Sequence, residues 1–130
     1  MTRSEQREEV FILLFEKTFH ESSVDEVVEI AKEYRTDKIN DSVANTFISV
    51  YEHLDEIDAL IEHNSKNWKI SRIPRVTLCI MRLCVYEMLH DEGVPVGVAI
   101  NEAVELCKKY ATDDDRKFAN GVLGSISRNL

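Results

Sequence analysis

The run from Val76 to Leu89 constrains this chain more than any other stretch. Val76, Leu78, Cys79, Ile80, Leu83, Cys84, Val85, Tyr86 and Leu89 are apolar at helical spacing on nearly every side. A helix that is hydrophobic all round must be covered by other elements. Pro74 stands where a first turn loses nothing by lacking an N–H. Gly93, with Pro95 behind it, ends the segment. The rest of the chain must therefore supply helices or strands that wrap this one.

It supplies helices. There are only 4 glycines and 2 prolines in 130 residues, and no alternating strand pattern. A first helix is expected from about Ser4 to His20, with Val10, Phe11, Leu14 and Phe15 as its stripe. A second begins at Ser23, with Glu26 three places on as a capping box. A third runs from about Lys38 to Glu52. A short fourth follows Asp55 and stops near Asn64-Ser65. After the central helix come one from Gly97 to Tyr110 and a last one over Arg116–Arg128, capped by Asp113 or Asp114. In that last helix Phe118, Val122, Leu123 and Ile126 are expected inside. The expected class is all-α: a compact bundle of about seven helices in two packed helical subdomains. The length fits a single domain over residues 1–130. Candidate halves are 1–65 and 66–130.

Charge narrows the function. The net charge of -8 argues against a broad nucleic-acid surface but leaves room for a local one. Residues 1–62 hold 16 acidic and 6 basic side chains, net -10, while residues 63–90 hold 1 and 5, net +4. Lys66, Lys69, Arg72, Arg75 and Arg82 make that basic segment. They are either presented to a partner or paired with the acidic first half. No apolar run suits a membrane, and the amino terminus lacks a secretory pattern. Cys79, Cys84 and Cys107 read as buried free thiols of a cytoplasmic protein. No metal site is expected.

Catalysis has little support. His20, His53, His63 and His90 are scattered, and no metal, phosphate-loop or nucleophile motif is present. No catalytic residue and no cofactor is expected. Asp113-Asp114-Asp115 reads as a helix cap rather than a cation loop.

Several polar residues sit inside apolar periodic runs. Asn101 and Glu102 occupy the first turns of a helix, where Asn bridges helices or meets a partner. Asn120-Gly121 lies within the last helix, where glycine costs about 1 kcal/mol against alanine. Close helix packing would explain it. Tyr86 can bury its ring, and Glu87 can pair with Arg82. Trp68 either covers the junction of the halves or offers a stacking surface, with packing favoured. Phe118 is either core or a ring for base stacking beside Lys117.

Taken together, these pieces resemble the NusB family of transcription antitermination factors. The resemblance rests on Trp68, Arg72-Ile73, Arg75-Val76, Ile80-Met81-Arg82-Leu83, Tyr86-Glu87, Pro95-Val96, the run from Ile100 to Lys108, and Phe118-Ala119-Asn120-Gly121-Val122-Leu123. It implies an all-helical, non-catalytic protein that binds boxA-type leader RNA of ribosomal RNA transcripts together with the ribosomal protein NusE. Through NusE it would act on the transcription elongation complex. By position, the resemblance assigns RNA contact to Arg3, Arg7, Lys117 and Phe118, with Asp114 at the edge and Arg72 and Arg75 adding positive potential. It points to Tyr86 and Glu87 for NusE, and leaves Trp68, Asn101, Glu102, Asn120 and Gly121 as structural. One departure stands out. The family's arginine-rich amino terminus here reads Thr2-Arg3-Ser4-Glu5-Gln6-Arg7-Glu8-Glu9, whose three glutamates oppose phosphate. Weak RNA affinity without a partner is the expectation. The alternative is a homodimeric helical adaptor with weak intrinsic RNA binding. A helical domain of a ribosomal-RNA methyltransferase would need a cofactor-binding domain that these residues do not hold.

Overall fold

The computed structural model describes residues 1–66 and 68–130. Seven α-helices and one short 3-10 turn account for the regular structure among them. They divide into two compact units, Met1–Glu52 and His53–Leu130. The expected division at 65/66 lies further along the chain. The fourth helix packs on the fifth and seventh, and so belongs with them.

The first unit holds α1 (Arg3–Lys17), α2 (Val24–Tyr34) and α3 (Asp41–Glu52). All three pack on one another. Their apolar stripes are buried: Val10, Phe11, Leu13 and Leu14 from α1, Val27, Val28 and Ala31 from α2, and Val43, Phe47 and Val50 from α3. Burying a side chain such as Phe47 stabilises by about 2–3 kcal/mol. The caps explain where the helices begin. Ser23 Oγ accepts from the Glu26 N–H, as its sequence position predicts. Thr2 and Glu5 form a complete capping box on α1, which starts one residue earlier than expected, at Arg3, and ends at Lys17 rather than His20. Those hydrogen bonds from Thr2 hold the Glu5 carboxyl below its usual pKa. Asn40 Oδ1 accepts from the Val43 N–H at 2.8 Å, so α3 starts after Asn40 rather than at Lys38. Arg35, just past α2, pairs with Glu16 of α1 at 2.8 Å.

The second unit holds α4 (Leu54–His63), a 3-10 turn (Ile70–Arg72), α5 (Arg75–His90), α6 (Val96–Tyr110) and α7 (Asp113–Arg128). Helix α5 contacts α4, α6 and α7. Its residues Thr77 to Met81 and Leu83 to Val85 are all buried, as its all-round apolar character requires. Pro74 is the residue before the helix rather than within it. Arg82 of α5 reaches across to α4. Its guanidinium donates from Nε and Nη2 to the two carboxylate oxygens of Asp58 on α4, both at 2.8 Å. Such a fork-to-fork pair fixes geometry as well as charge. The three cysteines are free and buried. Burial pushes the Cys79 and Cys107 thiols up to about 11. Among the described residues no helix is long and apolar enough to cross a membrane.

Candidate nucleic-acid interface

Helix α7 is built to present its first two turns. Thr112, not Asp113 or Asp114, is its cap, accepting from the Asp115 N–H at 3.1 Å. The three aspartates fill the first turn, where the helix dipole favours them. Arg116 turns back to Asp113 at 2.9 Å, an i,i+3 pair that neutralises it. Lys117, one residue on, is exposed. Further along, Ala119, Val122, Leu123 and Ile126 face inward and anchor the helix.

Phe118 lies between these two faces. It is only half-buried, against the expectation of a core position, and its ring meets Trp68 edge to face at 6.0 Å. Trp68 is 50 % exposed. The physical reason is its position between α4 and the 3-10 turn, where no helical face carries it inward. The two rings form one wall of an open groove of about 460 Å³. Gly121 and Ser125 of α7 and Asn64 at the end of α4 line the rest, with Lys66, Lys117 and Arg128 at its margins. Among the described residues none of these three cations has a carboxylate within ion-pair reach. Lys66 adopts a left-handed backbone, φ 42°, in the turn that carries the chain from α4 towards Trp68.

Gly121 does not serve close helix packing. A Cβ built there would meet nothing within 4 Å. The helix accepts the penalty of about 1 kcal/mol for glycine over alanine without an internal contact that requires it. The residue lines the groove instead.

A hydrogen bond ties the groove together. Ser125 Oγ donates to Asn64 Oδ1 at 2.8 Å, across 61 positions of sequence, and Asn64 Nδ2 donates to the Leu60 carbonyl at 2.8 Å. The amide plane of Asn64 is thereby held from both ends.

The other sequence-derived residues are dispersed. Arg3 is exposed at the start of α1. Arg7 is 8 % exposed and engaged within the chain, because it shares a helical face with Val10, Phe11 and Leu14. Arg72 and Arg75 are exposed on either side of Ile73-Pro74, and Asp114 is exposed in the first turn of α7. Asn101 and Asn120 are exposed, and Glu102 is half-buried. Glu87 is buried and engaged within the chain, on the same face of α5 as Ile80, Leu83 and Cys84.

Tyr86 is half-buried in a cluster the sequence did not announce. His53 and His90, far apart in the chain, bring their rings to 3.9 Å, with Tyr86 5.6 Å from His90. His90 Nε2 lies 2.8 Å from Glu56 Oε1. Among the described residues no three His, Cys, Asp or Glu side chains are gathered for a metal ion.

Comparison with known proteins gives this architecture a family. The NusB family model matches residues 37–128. The transcription antitermination protein NusB of Agathobacter rectalis is 40 % identical over 131 residues, covering 98 % of this chain and all of that protein. The chain belongs to the NusB family. The solved structure of T. maritima NusB superposes with a TM-score of 0.86 at 32 % identity, covering 98 % of this chain and 92 % of that one. A structure of the antitermination factors NusB and NusE in complex with double-stranded RNA superposes with a TM-score of 0.86 at 26 % identity, covering 98 % and 97 %. The NusB family is one of non-catalytic regulators.

Proposed function

We propose that this protein is a transcription antitermination factor that binds boxA-type single-stranded leader RNA together with NusE. In this reading the pair hands the nascent ribosomal RNA to the transcription elongation complex in the cytoplasm. The observation that carries the reading is the pairing of a half-exposed aromatic wall, Phe118 and Trp68, with the uncompensated cations Lys66, Lys117 and Arg128. Rings stack unpaired bases and cations follow the phosphates. The likeness to a structure holding NusB, NusE and double-stranded RNA supports RNA and NusE as the partner classes. Arg3, Arg72 and Arg75 add exposed positive charge, while buried Arg7 acts within α1. The carboxylate of Asp114 sets the acidic edge of the surface. Half-buried Tyr86 and buried Glu87 mark the part of α5 that faces NusE in this reading.

The test is fluorescence anisotropy with labelled boxA RNA at near-physiological salt, with and without NusE and against a scrambled RNA. Selective binding that NusE strengthens is expected, and Arg3→Glu weakens it with a steeper effect at low salt. Equal binding of boxA and scrambled RNA in the presence of NusE refutes the reading.

The second reading, a homodimeric adaptor, draws on a separate observation. The first unit exposes Phe19, Ile30 and Tyr34, Tyr34 being 81 % exposed. Light scattering decides it: a concentration-dependent dimer that Tyr34→Ser dissolves supports the adaptor, and a monomer excludes it.

A further inference from the structure

We infer that the groove between Trp68 and α7 is a slot for one unpaired base of single-stranded RNA, stacked on Trp68, seated over the bare backbone of Gly121 and read by Asn64. The inference rests on the RNA-binding reading above and says where, and by which groups, a base is held.

Three observations converge on it. Gly121 faces open space, where a Cβ would touch no atom of the protein. Glycine at such a position allows a ligand to approach the helix closely. Trp68 is half-exposed at the groove and braced edge-on by Phe118, so one ring is fixed and can offer a face. Base–aromatic stacking needs such a surface and tolerates any base.

Asn64 supplies the discriminating chemistry. A side-chain amide has two donor hydrogens and two acceptor lone pairs. One donor goes to Leu60 and one lone pair to Ser125. One of each is left for a ligand, held in a plane that cannot rotate without breaking both bonds. A donor beside an acceptor is the pattern that pairs bidentately with a base edge. The three cations at the rim fit the phosphates on either side of the held nucleotide. A duplex cannot deliver a base into the slot, since its bases are stacked and paired.

The chain has one tryptophan, so the slot carries its own reporter. Trp68 emission is followed while boxA RNA is titrated onto the full-length protein with NusE, using the Trp68→Phe protein as blank. Anisotropy of the labelled RNA is read in parallel, and thermal melting is recorded for each variant. Single-stranded RNA is expected to quench Trp68 in step with binding, and the same RNA annealed to its complement to quench far less. Trp68→Ala is expected to weaken binding at least about fivefold. Gly121→Ala is the sharper variant. It removes a helix-breaking residue, so melting stays level or rises, while RNA affinity falls several-fold because the new methyl occupies the base's seat.

The outcomes separate. Selective RNA binding with no quenching of Trp68, or with Gly121→Ala at wild-type affinity, overturns the slot and leaves antitermination standing. Quenching by NusE alone, unchanged by RNA, assigns the groove to a protein side chain and overturns the slot. Quenching with equal response to boxA and scrambled RNA upholds the slot and removes the boxA reading.

Discussion

Asp58→Ala should cost the second unit far more than loss of an ordinary surface ion pair. The Arg82–Asp58 contact is bidentate, with both N–O distances at 2.8 Å, and the side chains are 12 % and 23 % exposed. At an effective dielectric constant near 20, two unit charges about 4 Å apart attract by about 4 kcal/mol. Desolvation of both groups offsets part of this. A net coupling of about 1.5–2.5 kcal/mol remains, against about 0.2–1 kcal/mol for exposed pairs. The single mutant should lose about 2–3 kcal/mol, because the guanidinium keeps its burial and loses its main acceptor. Urea unfolding of the wild type, Asp58→Ala, Arg82→Ala and the double mutant closes the cycle. The effect should reach the groove as well. The same α4 that Asp58 pins to α5 ends at Asn64, which bonds to α7. RNA affinity should therefore drop in Asp58→Ala even though Asp58 lines no groove. A coupling energy under about 0.5 kcal/mol would show that the pair is screened like a surface contact and refute the reasoning.

Four further expectations follow from particular contacts. The Thr77 hydroxyl is fully buried in α5 with no hydrogen-bond partner among the described residues, so Thr77→Val should stabilise by about 1 kcal/mol in urea titrations. Thr112→Ala should remove the α7 cap and lower stability by about 1 kcal/mol, with a matching loss of helical signal on melting. The Cys79 and Cys107 thiols stay protonated in the fold up to about pH 11, whereas in the unfolded chain they ionise near 9. The unfolded state thus sheds protons first between those values, so stability should fall as pH rises from 9 to 11, and the native thiols should resist a disulfide reagent at pH 8. Glu5, its pKa lowered by Thr2, stabilises the start of α1 above pH 4.5. That contribution should fade as pH falls through its folded value, seen as fraying of Arg3–Arg7 amides by NMR.

Periodicity carried most of the fold. The central helix was legible because no arrangement of an all-round apolar helix leaves it exposed, and Val10, Phe11 and Leu14 of α1 and Val122, Leu123 and Ile126 of α7 followed the same rule, while Phe118 did not. The cap at Ser23 was legible because Glu26 stands three places on and completes the box pattern. Asn40 and Thr112 were overlooked because the adjoining Asp41 and Asp113 offered the same role, and Thr2 because Ser4 did. Site residues fared differently. Lys117 is exposed at the groove rim, as its place at the start of the helix suggested. Arg7 and Glu87 are buried because they share apolar helical faces, which their charge alone does not announce. Trp68 and Gly121 were assigned to packing because composition cannot show that the space beside them is empty. The His53–His90 pair and the Asn64–Ser125 bond depend on tertiary approach, which no local pattern encodes.

The bond between Asn64 and Ser125 has a consequence for how the protein is made. Translation delivers the chain from its amino end, and compact units fold as they emerge. The first unit, with its own three packed helices, is available early. The groove is lined by Asn64 and Trp68 on one side and by α7 on the other, so no nascent chain that stops short of that last helix holds it. A stalled or prematurely ended product would carry folded helices and its exposed aromatics without the site. Binding at the proposed slot would thus await completion of synthesis through α7.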